Sequence, residues 1–204
     1  MFVYPCQVYP NTTLGDPEYI GKFGIEMRRI RLTEIHARIR PDDDIPEYEH
    51  ITITTDDMTL SDWKRMTRFS WMVMMLHSLK LGYFILMYMA DRYGTPHRDL
   101  IQFLSETQMP REQAPIVCGE GDFHDSVIER ILDGQGRACE LPDFGDLYWD
   151  VEETSVLRIA GRLDAFYDEV LGLLRIFLEE RGIAYDDDEL TQAVAYQRMR
   201  FPTW

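Results

Sequence analysis

The stretch VLRIAGRLDAFYDEVLGLLRIF, residues 156–177, carries the clearest periodic pattern in the chain. Its apolar side chains follow each other at alternating steps of three and four residues, which places them on one face of an α-helix. They are Val156, Ile159, Leu163, Phe166, Val170, Leu173 and Phe177. Gly161 and Gly172 weaken the helix by about 1 kcal/mol each relative to alanine, so its stability has to come from packing. We therefore predict one long amphipathic helix, closed by Gly182, within a helical bundle.

Two more helices are predicted upstream, and a third begins directly after them. Thr59 and Asp62 have the spacing of a capping box, in which the threonine oxygen accepts a main-chain hydrogen bond and the carboxylate favours the positive end of the helix. The helix that begins there should extend to about residue 80. A second helix over residues 83–94 ends at a glycine C-cap, and the threonine and proline at 95–96 begin the third.

Glycine and proline interrupt residues 109–136, where we predict little regular structure. Two prolines and two glycines make residues 109–121 a loop, and one short helix over residues 122–132 follows it. A last helix begins at residues 186–189, where four carboxylates favour the positive end of a helix, and continues through Tyr196.

The N-terminal residues predict strands and turns. Phe2–Pro10 contains two prolines and is typical of an interrupted strand, because proline cannot donate a hydrogen bond to a sheet. Asn11–Asp16 has turn chemistry, and Asp16 followed by Pro17 is typical of an N-cap and the first residue of a helical turn. That turn should extend through Tyr19.

The rest of the N-terminal part predicts one more strand and fixes the expected domain organisation. Three aspartates before a proline make residues 42–44 an exposed connection, and His50–Thr54 alternates polar and apolar residues as a half-buried strand does. The predicted fold class is therefore mainly α. A strand and loop segment occupies residues 1–55, and a helical module occupies residues 56–204.

Composition limits the classes of function. The chain has 204 residues, 45% hydrophobic and 28% charged, which is enough for one compact domain with a sizeable core. A net charge of −15 argues against nucleic acid and anionic membranes as partners, because such binding draws largely on cations that neutralise phosphates. The acidic excess is concentrated between residues 140 and 190. Three widely spaced cysteines, Cys6, Cys118 and Cys139, favour a reducing cytoplasm, and no signal peptide is visible.

One segment, Phe69–Ala90, has nearly the length and apolar character of a membrane span. His77, Ser78 and Lys80 interrupt it near the middle, and an ionisable residue there costs roughly 2.5 to 3.5 kcal/mol on insertion. We therefore predict two buried helices in a cytoplasmic protein that does not cross a membrane.

Sequence motifs for catalysis are weak. The sequence has no Gly-x-x-x-x-Gly-Lys phosphate loop and no His-Glu-x-x-His zinc motif. Gly119-Glu120-Gly121 resembles the start of a dinucleotide turn, but it lacks the third glycine, and an ordinary loop is favoured. His124 beside Asp122 and Asp125 is compatible with a hydrolytic or metal cluster and equally with a solvated helix start.

Two single residues leave alternatives open. His77, in a methionine-rich stretch, is either a ligand or proton donor that faces a pocket, or a core histidine bonded to a neighbouring carbonyl group. Cys118 is either a nucleophile or a partly buried inert thiol, and no base lies beside it in the sequence. The structural role is favoured for both.

The segment YPNTTLGDPEY at residues 9–19, followed by Phe23-Gly24-Ile25, contains a proline–asparagine turn, then Asp-Pro-x-Tyr, then a short basic strand. It resembles the end of the catalytic barrel in cobalamin-binding-type radical SAM proteins. The helical C-terminal region of that group is similar to this chain at His50–Thr55, Met58–Thr59, Asp62–Trp63, Phe69–His77, Gly82–Phe84, Tyr88, Tyr93–Pro96 and Phe103. The resemblance covers about residues 1–105, and beyond them only a helical tail that includes Tyr196-Gln197.

The resemblance implies an enzyme in three parts: a cobalamin-binding domain, a barrel whose [4Fe-4S] cluster cleaves S-adenosylmethionine, and this helical end. The chain departs from that pattern at the cluster. The cluster requires Cys-x-x-x-Cys-x-x-Cys, whereas the cysteines here are separated by 112 and 21 residues. We therefore expect no cofactor to be held by this chain alone, and the [4Fe-4S] cluster, S-adenosylmethionine and cobalamin are implied only for the complete enzyme.

The same resemblance implies that Tyr9, Asn11 and Asp16 lie near the barrel end that closes over substrate and contact it, while the alternative is that they only form a turn. The expected function is that of a C-terminal, non-autonomous part of a radical SAM enzyme, whose partner is the missing N-terminal catalytic portion. Exposed apolar helix faces also favour homo-oligomers. The alternative function is a free-standing acidic helical interaction module without catalysis, in which residues 140–189 bind a basic partner.

Overall fold

A computed structural model describes residues 5–39, 45–106 and 111–201 of the chain. These residues are mainly helical. The eight α-helices among them are α1 (Pro17–Lys22), α2 (Leu60–Val73), α3 (Tyr83–Tyr93), α4 (His97–Glu106), α5 (Pro115–Leu132), α6 (Val151–Ala160), α7 (Leu163–Glu180) and α8 (Asp187–Arg200). The strands among them are β1 (Glu26–Leu32), β2 (Glu47–Thr54), β3 (Cys139–Glu140) and β4 (Tyr148–Trp149).

The chain divides into two compact units, and each is assembled from two separate stretches of sequence. We call the unit built from Val3–Ser70 and His124–Thr154 the mixed unit, because it contains the strands. The unit built from Trp71–Phe123 and Ser155–Trp204 is the helical unit.

The mixed unit is organised around the antiparallel pair β1–β2, in which Ile30 lies opposite Glu49. Ile30, Ile51 and Ile53 are buried and form the inner face of this pair. The outer edge of β2 is extended by the preceding segment, because the main-chain N–H of Val8 donates to His50 and that of Thr52 donates to Cys6. The strand predicted over Phe2–Pro10 is thus confirmed as an interrupted one within its described part, which begins at residue 5.

Both helix starts predicted from capping residues in the mixed unit are confirmed. Asp16 caps α1, where its carboxylate accepts a 2.8 Å hydrogen bond from the main-chain N–H of Glu18, and proline occupies the first helical position. The capping box at Thr59 forms in both directions. The main-chain N–H and the hydroxyl of Thr59 both donate to the carboxylate of Asp62, and the main-chain N–H of Asp62 donates back to the hydroxyl of Thr59. Those two hydrogen bonds from Thr59 lower the pKa of Asp62 below its ordinary value.

The short pair β3–β4 is an element of the mixed unit that the sequence did not predict. The turn that precedes it runs close along β1, where the main-chain N–H of Arg31 donates to Gly134. A Cβ atom on Gly136 would lie 2.7 Å from the carbonyl oxygen of Arg31, so this approach needs a glycine. The predicted end of the preceding helix before Gly134 is confirmed, and this glycine has a left-handed φ of 85°.

The helical unit buries apolar faces of four helices against each other. Helix α8 packs on α3 and α7, and α4 packs on α3 and α7. The periodic face predicted from residues 156–177 is buried from Ile159 onward, whereas Val156 is half-buried. The predicted C-cap at Gly94 is confirmed by a left-handed φ of 66°.

The prediction of one continuous helix through residues 156–177 is wrong. Helix α6 ends at Ala160 and α7 begins at Leu163, with Gly161 and Arg162 between them. Arg162 leaves the helical region with φ −146° and ψ 37°, and its N–H donates to the carbonyl of Ile159 to close a tight turn. The helix-weakening glycine predicted at Gly161 therefore lies at the break between the two helices.

The prediction of a loop over residues 109–121 is wrong from Pro115 onward. Helix α5 begins at Pro115 and contains both Gly119 and Gly121. The carboxylate of Glu169 accepts hydrogen bonds of 2.9 and 3.1 Å from the main-chain N–H groups of Ile116 and Val117. A side chain from α7 thus caps this helix, and proline is tolerated at its first position.

Helix α2 continues into a π-helical turn over Met74–Ser78, and Lys80 follows with a left-handed φ of 65°. Among the described residues, no single helix is long and apolar enough to cross a membrane. One pair of consecutive helical segments is long and apolar enough only when taken together, and it is bent by 91° at the break. The two segments are Leu60–Ser78 and Tyr83–Tyr93. The connection predicted at residues 42–44 lies outside the described residues.

Candidate functional site

The predicted substrate-binding residues Tyr9, Asn11 and Asp16 lie along one turn of the mixed unit. Thr12 closes the turn, because its main-chain N–H and its hydroxyl both donate to the carbonyl of Tyr9, at 3.1 and 2.7 Å. A Cβ atom on Gly15 would lie 2.2 Å from the same carbonyl oxygen. The turn therefore depends on glycine at this position, as its residue types predict.

All three predicted side chains are exposed. The Tyr9 side chain is 55% exposed, and its hydroxyl donates to the side-chain oxygen of Gln7 at 2.5 Å. Asp16 is occupied with capping α1, and Asn11 makes no side-chain hydrogen bond with any residue that the structure describes. Of the three, Asn11 has the polar side chain that is most open to a ligand. A substrate contact by these residues stays a prediction.

An open cleft with apolar side chains in its wall lies elsewhere on the mixed unit. Its volume is about 650 Å³, and it is lined by Leu32, Thr33, Glu34, Ala37, Arg38, Ile45, Glu47 and Tyr148. Ile45 is 86% exposed and Leu32 is 42% exposed. Exposed apolar residues that share one concave surface are more informative than scattered ones, because such patches mark interaction sites.

A polar cluster joins the loop after β1 to the start of α6. The ring nitrogen Nε2 of His36 lies 2.8 Å from Oε2 of Glu153, and the main-chain N–H of Asp150 donates to the same oxygen. His36 has a left-handed φ of 66°, which is uncommon for a residue other than glycine. The edge of its ring packs on Trp149 at 5.4 Å between centroids. Sequence reasoning missed this cluster, because His36 and Glu153 are 117 residues apart.

Glu152 is the buried member of this cluster. Its side chain is 4% exposed, and burial together with the neighbouring Asp150 raises its pKa to about 7, although Arg137 opposes the shift. Arg137 also lies 3.9 Å from the carboxylate of Asp150. A carboxyl group that titrates near neutrality can take up or release a proton under physiological conditions, which makes this cluster a candidate site in the mixed unit.

A second buried carboxylate, Glu120, lies in the helical unit. Its Oε1 accepts hydrogen bonds from Arg158 at 3.1 Å and from Arg162 at 3.3 Å. Arg158 lies in α6, and Arg162 lies in the break between α6 and α7. The guanidinium of Arg158 also lies over the ring of Phe123. Glu120 is 1% exposed, so two partly exposed cations compensate one buried negative charge.

The side chain of Glu120 also lines a small apolar cavity. Oε2 has no hydrogen-bond partner among the described residues. The cavity of about 10 Å³ is lined by Met72, Met75, Leu76, Leu104, Val117, Glu120, Ile159, Phe166 and Val170. Such a volume holds about one water molecule at most, and a stable internal water needs two to four polar partners. The wall provides Glu120 as its polar side chain, so this is a structural ion cluster and not a ligand pocket.

The residues Asp122, His124 and Asp125 do not form the metal cluster considered from the sequence. They lie within α5 and not at its start. Asp122 pairs with Arg111 at 2.5 Å, Asp125 pairs with Arg68, and His124 is completely buried. Asp122 and Asp125 are three residues apart and share one face of α5, whereas His124 lies on a different face. The expected solvated helix start is wrong as well.

Cys118 fits the structural role that was favoured for it, and His77 fits its role only in part. Nδ1 of His77 is buried without a hydrogen-bond partner among the described residues, so the predicted bond to a carbonyl group is not found there. His77 lies half-buried in the π-helical turn, where burial and the neighbouring His97 lower its pKa. The rings of His77 and Tyr83 meet edge to face at 5.3 Å between centroids. Burial raises the pKa of the Cys118 thiol, which disfavours the thiolate that a nucleophile needs.

The residues present do not fit the iron–sulfur cluster that the resemblance implies for the complete enzyme. Cys6 is exposed, Cys118 is half-buried, and Cys139 is buried with its thiol directed at the carbonyl of Arg137. Among the described residues, no group of three or more His, Cys, Asp or Glu side chains is arranged to hold a metal ion.

Comparison with known proteins adds no family to these observations. No protein-family model matches the chain, and no curated protein is significantly similar to it. Function therefore has to be inferred from the residues and contacts described above.

Proposed function

We propose that this chain is the C-terminal, non-autonomous part of a radical SAM iron–sulfur enzyme of the cobalamin-binding type, and that it packs against or caps the catalytic barrel. The observation that carries the proposal is the order of elements at the N terminus. The turn after Tyr9, helix α1 capped by Asp16, and a basic β1 with Arg28, Arg29 and Arg31 follow each other as in the family pattern.

The open cleft of the mixed unit supports the proposal that another portion of the enzyme binds to this part of the chain. Leu32 and Ile45 are exposed in a concave surface, and burial of such side chains stabilises an assembly by roughly 25 cal/mol per Å². The β1–β2 pair is a small sheet, which needs cover to be stable. In the proposed enzyme, residues 1–55 are the remnant of the (β/α) barrel, and the N-terminal catalytic portion covers this surface.

The chemistry in this proposal is divided between the two portions. The N-terminal portion holds the [4Fe-4S] cluster, S-adenosylmethionine and, where used, cobalamin. This chain contributes Tyr9, Asn11 and Asp16 at the mouth of the barrel, where an exposed phenol, amide and carboxylate orient a polar substrate through hydrogen bonds.

The decisive experiment is to measure the size of the native polypeptide that carries this sequence. An antibody against residues 59–90 identifies it on an immunoblot, and mass spectrometry maps its peptides. The proposal expects either a product much larger than 24.1 kDa whose upstream peptides include the clustered cysteines, or a 24.1 kDa subunit that co-purifies with an iron–sulfur protein. A 24.1 kDa product without an iron–sulfur partner contradicts it.

The substrate-binding role is tested in the complete enzyme with Asn11→Ala. Since this side chain makes no hydrogen bond with a described residue, its loss leaves the fold intact and should raise KM for the substrate, while reductive cleavage of S-adenosylmethionine without substrate stays unchanged. Thr13→Ala is the matched control, because Thr13 is exposed in the same turn. Equal KM values for both variants contradict the assignment.

The alternative function is a free-standing acidic interaction module. Asp188 favours it, because this exposed carboxylate has no ion-pair partner among the described residues. Several other acids are already compensated within the chain, including Asp187 by Arg175 and Glu189 by Arg92. Intramolecular pairing reduces the charge that a basic partner would meet, so the enzyme part is the better supported function.

A further inference from the structure

A groove runs along the surface of the helical unit between α3 and α8. Its volume is about 530 Å³, and its walls are formed by Phe84, Tyr88, Arg92, Glu189, Gln192, Ala193 and Tyr196. The two helices run antiparallel, because Phe84 contacts Tyr196 at one end of the groove and Arg92 pairs with Glu189 at the other. The groove therefore has two distinct ends.

The aromatic rings of the groove are held in place by contacts within the unit. Phe84 and Tyr196 meet edge to face with 5.2 Å between ring centroids. The hydroxyls of Tyr88 and Tyr93 lie 3.1 Å apart, and burial together with this contact raises the pKa of Tyr88 above its ordinary value. Rings fixed in this way lose little entropy when a ligand packs on them. The surface is thus formed before any partner binds.

The groove has an acidic residue without an ion-pair partner next to one end and a basic residue at the other. Glu189 lines the first end and pairs with Arg92, while the preceding residue Asp188 is exposed and has no ion-pair partner among the described residues. At the opposite end, the guanidinium of Arg200 lies 5.9 Å from the ring of Phe84. A partner segment with a cationic residue at one end is complementary to this arrangement.

The separation of Phe84 and Arg92 along α3 matches the length of a short extended segment. Phe84 and Arg92 are eight residues apart on α3, which corresponds to about 12 Å along the helix axis at 1.5 Å per residue. A polyproline II segment rises about 3.1 Å per residue, so about four residues span this distance. That is the length of a Pro-x-x-Pro unit. Tyr196 is 47% exposed, and its hydroxyl, which has no hydrogen-bond partner in the described part of the chain, can donate to the free carbonyl groups of such a segment.

We propose that the α3–α8 groove binds a proline-rich segment of a partner protein in the polyproline II conformation, with a Pro-x-x-Pro unit on Phe84, Tyr88 and Tyr196 and a flanking lysine or arginine beside Asp188 and Glu189. Proline rings pack on flat aromatic faces, and the segment is already extended before binding, so its ordering costs little. The cation meets the unpaired carboxylate of Asp188.

The binding test uses the full chain and two synthetic fluorescein-labelled peptides. One contains Pro-Ala-Leu-Pro with a flanking arginine, and the other has alanine in place of both prolines. Fluorescence anisotropy should show saturable binding of the first peptide, and weaker binding of the second by about tenfold or more. Absence of saturable binding, or equal binding of the two peptides, overturns the proposal. Tighter binding of an amphipathic helical peptide of matched charge overturns it as well.

Variants place the binding surface on the groove. Tyr196→Ala should weaken binding by about tenfold or more, as expected for an aromatic anchor, whereas Met199→Ala, on the same helix and 77% exposed, should leave it unchanged. Asp188→Asn should weaken binding of the arginine peptide and have no effect on a version with alanine instead of arginine. If Tyr196→Ala unfolds the helical unit by circular dichroism, Gln192→Arg at the exposed wall takes its place and should weaken binding through charge repulsion. Equal affinities for the groove variant and for Met199→Ala overturn the proposal.

Discussion

The main-chain N–H of Phe84 donates a 2.7 Å hydrogen bond to the side-chain oxygen of Gln197, which lies 113 residues further along the chain. The side-chain nitrogen of Gln197 donates in turn to the carbonyl of Lys80 at 2.8 Å. One buried amide on α8 therefore satisfies main-chain groups on both sides of the turn between α2 and α3. Lys80 holds a left-handed φ in this turn, so the C-terminal helix stabilises an uncommon backbone conformation.

Gln197→Leu keeps the volume of this side chain and removes its hydrogen bonds. We expect a loss of about 1 to 3 kcal/mol in the free energy of unfolding, because the part-buried N–H of Phe84 and carbonyl of Lys80 both lose their partner. Urea denaturation followed by circular dichroism measures the change. Gln192→Leu is the control, since Gln192 is exposed on the same helix. Equal unfolding midpoints for the two variants contradict the role given to Gln197.

In the cluster of Glu120 with Arg158 and Arg162, removal of the two cations and removal of the whole cluster should affect the free energy of unfolding differently. The double variant Arg158→Met, Arg162→Met leaves a carboxylate buried without a cation and should lose about 3 to 5 kcal/mol of stability. Adding Glu120→Met should restore most of this loss, because Oε2 has no hydrogen-bond partner among the described residues and the Glu120 side chain lines an apolar cavity. Chemical denaturation of the double and triple variants provides the comparison. A triple variant no more stable than the double variant rules out an uncompensated buried charge as the cause.

Glu152 predicts a pH dependence of stability. Its carboxyl group has a pKa of about 7 in the folded chain, against an ordinary value of 4.5, so the folded state binds an extra proton between these values. Stability therefore falls as the pH rises from about 4.5 to about 7, by about 3 kcal/mol. Glu152→Gln should flatten this slope and be more stable than the original chain at pH 8. Thermal unfolding across this range is the measurement, with the exposed Glu140→Gln as the control that keeps the slope.

Replacing each of two glycines of the N-terminal segment with alanine should change the stability of the chain in opposite directions. In Gly15→Ala the new methyl group collides with the carbonyl of Tyr9 and should cost roughly 1 to 3 kcal/mol, as overpacking does. Gly21 lies in α1 with open space around it, so Gly21→Ala should stabilise the chain by about 0.5 to 1 kcal/mol. Melting temperatures of both variants test the turn that contains the predicted substrate residues. A Gly15→Ala variant as stable as Gly21→Ala contradicts the close approach.

Capping residues and glycines in the sequence predicted those helix ends that are stabilised by residues nearby in the sequence. Asp16, Thr59 and Asp186 cap their helices within three residues of themselves, and Gly94 and Gly182 adopt the left-handed conformation expected after a helix. These interactions are short in sequence, so residue type and spacing are sufficient to identify them.

The mispredicted elements depend on partners far away in the sequence. Helix α5 begins at Pro115 because Glu169, more than 50 residues later, accepts its first free N–H groups. The polar cluster of the mixed unit forms because the loop at His36 folds back onto Glu153. No local pattern contains that information. The expectation that Asp122 and His124 begin a helix failed for the same reason, since the true start lies in a segment whose cap is supplied by another helix.

The assembly of each unit from two separate stretches has a consequence for synthesis on the ribosome. Helices α3 and α4 emerge first, but α7 and α8, which cover their apolar faces, follow about 70 to 100 residues later. At roughly 5 to 20 residues per second, this leaves those faces without their native cover for about 4 to 20 seconds. The buried apolar side chains of α3 and α4, such as Leu86, Met89 and Leu100, therefore meet solvent during synthesis until the last two helices have emerged.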